Sequence, residues 1–255
     1  MQVVRFNEAI DQILAEGLAT FTEHLDHEAD LFTASIGHDL SNPVHAVMMS
    51  TRRLMLSRGL TADERAAVER IERASGRLSG MLSDLRDFTR TRLGGLLVVR
   101  PQPVDVAGLV RDVVGELEAA YSDRRIVVEC RGDLVASVDT KRIPQLLSNL
   151  VANALQHGAA NSAVQISARR EGNDLIIDVR NEGRPIEPTL MQRLFDPLRS
   201  GDAEGDNTHL GLGLYIARQI ALAHGGTIAV ESTVSAGTCF TVRLPARVRD
   251  EAGAA

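Results

Sequence analysis

The chain has 255 residues, 44% hydrophobic and 24% charged, with no Trp and a net charge of −6. That length suits one large domain or two modest ones, and the acidic balance argues against nonspecific nucleic-acid binding. No apolar run approaches the ~18 residues of a membrane-spanning helix and the N-terminus lacks the apolar stretch of a signal peptide, so a soluble, cytoplasmic protein without a membrane span is expected.

The pattern predicts helix almost throughout the first third of the chain. Residues 1–30 read as a helix continuing from upstream, and residues 31–93 as a helical hairpin. In its first arm Leu40, Val44, Val47, Thr51 and Leu54 recur at spacings of three and four, and in its second Val68, Ile71, Ser75, Leu78, Leu82 and Leu85 do the same. Each row is a heptad seam of small or apolar residues. Between them, residues 57–63 supply a helix-stopping Gly59 and then a capping box, Thr61 with Glu64 three residues on. An antiparallel hairpin cannot bury such stripes on all sides, so a homodimer forming a four-helix bundle is the expected arrangement.

After Gly94 and Gly95 the period changes. Pro101 and Pro103 mark a linker, taken as residues 94–103, because Pro cannot continue a helix. Over 104–246, strand-like runs at 126–130, 164–170, 175–179, 227–231 and 238–244 alternate with helical stretches near 107–121, 140–156 and 212–224. This predicts an α/β sandwich, a mixed sheet with helices on one face. Cys130 and Cys239 stand alone in strand-like runs, so no disulfide or metal pair is expected. Residues 247–255 read as a frayed tail.

Of seven histidines, His38 is set apart by its surroundings. In helical projection it lies roughly 180–200° from Leu40 and Val47, so it points away from the seam. Asp39 can hold one ring nitrogen or accept its proton, freeing the other nitrogen as a nucleophile. Pro43 removes a backbone donor and bends the helix close by. His24 and His27 lie near Glu23, but nothing nearby completes a metal ligand set.

No Walker-type phosphate loop is present. Instead, the helix over 140–156 carries Asn149, Asn153, Gln156 and His157 on one face, where neutral oxygens can hold Mg²⁺ beside phosphates. The strand over 175–179 leads into Asn181, Glu182 and Gly183, a side-chain amide beside a flexible turn. A polar segment, 199–208, precedes Gly211, Leu212, Gly213 and Leu214 at the start of a helix. Glycines there let backbone N–H groups approach an anion at the helix N-terminus.

The run Gly37-His38-Asp39-Leu40-Ser41-Asn42-Pro43 resembles the phosphoacceptor box of histidine kinases, with Ser41 where Arg or Lys is frequent. The later elements, in their order, resemble the N, G1, F and G2 boxes of the GHKL, or Bergerat, ATPase fold. Together they cover residues 31–245 in the order of a bacterial sensor histidine kinase of two-component systems. The resemblance implies ATP and Mg²⁺ as cofactors and autophosphorylation of His38. It further implies transfer to an aspartate on a response regulator receiver domain, and phosphatase activity toward that regulator. It assigns Asp39 as general base and Asn42 as the residue that positions a phosphatase water. Asn153 would ligate Mg²⁺ with support from Asn149, and His157 would stack near the nucleotide. Asn181 would contact adenine beside Gly183, standing where most of the family has Asp. Gln156 stands where a phosphate-contacting Lys is frequent. Gly211, Leu212, Gly213 and Leu214 would meet the phosphates or lid. Residues 1–30 resemble the signal helix that follows a sensor module.

Overall fold

The structure is a computed structural model that describes residues 40–57, 59–92, 94–121, 123–198 and 211–246. His38, Asp39, the segments 1–30, 199–210 and 247–255, and the arm of the hairpin before residue 40 lie outside the described residues. The chain forms two compact units that divide between Gly95 and Leu96.

In the first unit, α1 covers residues 40–55 and α2 spans Ala62–Arg92. The predicted capping box starts α2. The Thr61 N–H donates to Glu64 Oε2 at 2.8 Å, and the Glu64 N–H donates to Thr61 Oγ1 at 3.3 Å. These bonds satisfy two donors that no preceding helical turn can serve. The same contacts to Thr61 hold the Glu64 carboxyl below its ordinary pKa.

The apolar seam separates into two rows. Val44 and Thr51 on α1, with Val68, Ser75 and Leu82 on α2, are buried at intervals of seven. Leu40, Val47 and Leu54, with Ile71 and Leu78, recur at the same interval and are 43–48% exposed. A heptad seam that is covered along one row and open along the other leaves an apolar stripe on each arm.

The second unit holds two sheets. Strand β1 (Gln102–Asp105) pairs antiparallel with β3 (Val135–Val138), with Pro103 opposite Ser137. Pro103, expected in the linker, thus lies inside a strand. A two-stranded sheet leaves each strand one open edge, where a missing N–H is tolerated. The five-stranded sheet comprises β2 (Ile126–Arg131), β4 (Val164–Glu171), β5 (Asp174–Asn181), β6 (Thr227–Thr233) and β7 (Gly237–Pro245). Its order is β2-β4-β5-β7-β6, with β2 and β4 parallel and every other neighbour antiparallel, so the sheet is mixed as expected.

Helices α3 (Val106–Ala120), α4 (Arg142–His157) and α6 (Gly213–Ala223) pack on one face of that sheet. The short α5 is Pro188–Met191. Between the layers Ile166, Leu175, Ile177, Val179, Phe240 and Val242 meet Leu146, Leu150, Val151 and Ile216 of the helices, all buried. The other sheet face is polar. Thr241 Oγ1 donates to Asp178 Oδ1 at 2.7 Å, Arg169 pairs with Asp178, and Arg243 reaches Asp174 at 2.9 Å. A sheet wetted on one face and helix-covered on the other needs this alternation, and β4 and β7 carry it.

Candidate functional site

The core-facing side of α4 is a continuous apolar row from Ile143 through Leu155, which fixes the helix rotation and turns Asn149 and Asn153 away from the sheet core. The two asparagines then diverge. Asn149 Nδ2 donates to the Gly213 carbonyl at 3.1 Å and so ties α4 to the first residue of α6. Asn153 lines a cavity of about 1460 Å³, and no described residue bonds its side-chain amide. That space is ample for a compact organic ligand.

The cavity gathers residues distant in sequence. Asn153, His157 and Gly158 come from α4 and its end, Asn181 through Glu187 from the turn after β5, and Leu214 from α6. Val234 through Thr238 of the β6–β7 turn close another side. Asn181 is only 4% exposed, and its Nδ2 donates to the Glu182 carbonyl at 3.2 Å. No described residue donates to its Oδ1, which leaves an acceptor without a protein partner at the cavity wall.

Two glycines make this wall possible. Gly237 has φ +69, and a Cβ there would lie 2.2 Å from the Asn181 carbonyl oxygen. A Cβ on Gly158 would lie 2.5 Å from the Ala154 carbonyl and 3.2 Å from the Asn181 Cβ. Any side chain at either position would displace the backbone that presents Asn181.

Among the residues expected from sequence, Asn153, His157, Asn181, Gly183 and Leu214 line the cavity. Asn149, Gln156, Gly211, Leu212 and Gly213 do not. Gln156 is exposed on the rim side of α4, whereas the Leu212 side chain is buried in the core at 2% exposure. Gly211 adopts φ +65, which turns the chain into α6. The Leu212 side chain makes no capping hydrogen bond at the start of α6.

Sequence reasoning missed Ser232, which anchors part of the wall. Thr238 is buried and shares a 2.8 Å hydrogen bond with Ser232, whose Oγ accepts the Ile186 N–H at 2.9 Å. This chain pins the 182–186 turn to the β6–β7 hairpin. Its only sequence signal was hydroxyl residues flanking a glycine turn, which is common in hairpins.

On α1, Asn42 is exposed, and the His45 Nδ1 contacts the Ser41 carbonyl at 2.8 Å. A ring nitrogen engaged in that way sets His45 apart as a helix-bound imidazole. Among the described residues, no group of three or more His, Cys, Asp or Glu side chains could hold a metal ion, and no helix is long and apolar enough to cross a membrane.

A helical unit is thus followed by an α/β unit whose cavity is lined by the end of α4, the turn after β5, the start of α6 and the β6–β7 turn. The family of histidine kinase-, DNA gyrase B- and HSP90-like ATPases matches residues 138–248, and the His Kinase A (phospho-acceptor) domain matches residues 28–94. Both matches, the phospho-acceptor domain preceding the ATPase along the chain, support a bacterial two-component sensor histidine kinase.

Similar proteins agree with that placement. A bacteriophytochrome of Pseudomonas aeruginosa is 33% identical over 88% of this chain and 31% of its own length. The sensor-like histidine kinase SenX3 of Mycobacterium bovis is 30% identical over 85% of this chain and 54% of its own. The chain thus spans between a third and about half of these relatives. Among solved structures, full-length ShkA in complex with AMPPNP matches with a TM-score of 0.61 and 26% identity, over 84% of this chain and 45% of that one. The catalytic domain of histidine kinase ThkA matches at 0.52 and 28%, over 58% of this chain and 96% of that one.

Proposed function

We propose that this chain binds ATP in the α/β unit, phosphorylates its own His38, and passes the phosphoryl group to an aspartate of a response regulator. The observation that carries the nucleotide reading is the unpartnered Asn181 acceptor at the wall of a cavity that also holds the unbonded amide of Asn153. An acceptor in that setting suits the exocyclic amino group of adenine. The first-turn N–H groups of α6 suit phosphate oxygens. Asn149 acts at one remove, by holding the start of α6 through the Gly213 carbonyl.

The residues present also fit Mg²⁺. The Asn153 amide oxygen is a hard neutral ligand, and no cluster of acidic or His side chains in the described residues competes for the ion. Bound there beside the phosphates, Mg²⁺ would neutralise charge on the transferring group.

At the acceptor, Asp39 takes the proton from one ring nitrogen while the other attacks the γ-phosphorus. The bond from that phosphorus to the bridging oxygen breaks and ADP leaves. The chain contributes positioning and electrostatics, and Asn42 directs a water in a separate dephosphorylation of the regulator.

The open rows on α1 and α2 support a homodimer, since two hairpins placed together would cover them. A kinase that uses ATP and a receiver-domain partner works in the cytoplasm. The test is incubation with γ-labelled ATP. Acid-labile, base-stable label on the chain supports the reading. Phosphate release without label would point to an ATPase machine, and neither would leave a binding scaffold.

A further inference from the structure

The side-chain acceptor that Asn181 offers the cavity is an amide, and an amide has two faces. Asn181 is 4% exposed, and its orientation is held by one hydrogen bond, Nδ2 to the Glu182 carbonyl at 3.2 Å. That carbonyl already accepts the Ala159 N–H at 2.7 Å, so it keeps a strong partner when Nδ2 leaves. Rotating the amide by half a turn loses that neutral hydrogen bond and sets Oδ1 against the Glu182 carbonyl oxygen, together a factor of about ten to a hundred in affinity. The rotated amide presents an N–H₂ donor to the cavity in place of Oδ1.

We propose that Asn181 lets this site take 6-oxopurine nucleoside triphosphates as well as ATP. The proposal rests on the reading of the cavity as a nucleotide site. Adenine carries an amino donor at position 6, which Oδ1 accepts. Hypoxanthine and guanine carry a carbonyl there, which the rotated Nδ2 serves. A carboxylate at the same position could only accept, and it would face the 6-oxo group with its own negative charge. Discrimination of that kind comes from a buried group left unpaired against the wrong partner.

The neighbourhood permits the decisive variant. Arg124 Nη2 and the Asn181 Cβ both lie 3.2 Å from the place a Gly158 Cβ would occupy. Arg124 Nε is buried with no hydrogen-bond partner. In Asn181→Asp the Arg124 guanidinium is therefore in the neighbourhood of the new carboxylate, which is not an isolated buried charge.

The experiment is direct titration of the full chain with ATP, inosine triphosphate and GTP in the presence of Mg²⁺. Inosine triphosphate is the deciding probe, because it carries the 6-oxo group without the 2-amino group of guanine. The wild type is expected to bind it within about a hundredfold of ATP. Asn181→Asp should widen that ratio at least about tenfold, mainly by weakening inosine triphosphate. A wild-type ratio above a hundredfold overturns the proposal, as does an unchanged ratio in the variant. If Asn181→Asp does not fold, the wild-type ratio decides alone. Absence of binding by any of the three overturns the nucleotide site itself, and with it this proposal, a result distinct from tight ATP binding with 6-oxopurines excluded.

Discussion

The Asp139 carboxylate accepts the backbone N–H of Arg100 at 2.7 Å, which joins the chain entering the α/β unit to the start of α4. The other oxygen of the same carboxylate accepts the Lys141 and Arg142 N–H groups at 2.8 and 3.1 Å. Its own N–H donates to His224 Nε2 at 3.1 Å, at the end of α6. One residue thereby ties three segments of the unit together.

Burial alone would raise the Asp139 pKa, but the Arg100, Lys141 and Arg142 donors and the nearby His224 ring outweigh it and hold it below the ordinary value. A depressed carboxylate stabilises the fold above its unfolded pKa, and the effect is lost as pH falls through the folded one. Asp139→Asn should therefore destabilise the α/β unit by about 1–3 kcal/mol at neutral pH, the scale of lost charge-assisted hydrogen bonds. The difference should shrink below about pH 4. Thermal melts of both proteins from pH 7 down to 3 test this, and a pH-independent gap would remove the charge from the explanation.

Asn149 and Asn153 should separate. Asn149→Ala loses the bond to Gly213 and should lower stability by about 1 kcal/mol, with nucleotide affinity falling about tenfold or less as α6 loosens. Asn153→Ala breaks no described hydrogen bond, so the melt should be unchanged while Mg²⁺-dependent ATP binding is largely lost. Mg-ATP binding as tight as wild type in Asn153→Ala would take that residue out of the site.

Charge placed in the open heptad row should cost the dimer. Ile71 is 47% exposed, so Ile71→Glu disturbs little within one chain but sets like charges face to face across a symmetric bundle. Sedimentation is expected to show monomer for the variant and dimer for the wild type. A variant that stays dimeric would move the interface elsewhere.

His38→Gln should abolish labelling from γ-labelled ATP with nucleotide affinity unchanged, because the acceptor and the cavity belong to different units. Asp39→Asn keeps size and hydrogen bonding but cannot take a proton. A drop of roughly 10²–10⁴ in the labelling rate is expected, the scale of a lost general base. A change below threefold would reduce Asp39 to a solvated helix residue.

Asn42→Ala should separate the proposed dephosphorylation of the regulator from the proposed labelling of His38. Asn42 follows His38 by four residues in the sequence and its side chain is exposed, where a docked regulator can meet it. With the cognate regulator, near-normal His38 labelling and largely lost dephosphorylation are expected. Equal loss of both would mean a structural role beside Pro43.

What could be read from the chain directly was whatever local periodicity and spacing encode. The five long strands, the three long helices and the Thr61 capping box all appear where the pattern puts them, because each depends on residues only a few positions apart. Asn153, Asn181 and Leu214, which the resemblance to the GHKL boxes had singled out, line the cavity. Three things depended on the fold. The seam read as one row, and only packing showed that Val44 and Val68 lie in a covered row while Leu40 and Ile71 lie in an open one. Asn149 and Asn153 share a helix face, yet the approach of Gly213 from 64 residues away turns one into a tether and leaves the other at the cavity. Asp139 and His224 carried no local signal at all. Their partnership spans 85 residues and exists only because α6 ends where α4 begins, a juxtaposition set by burying both helices on one sheet.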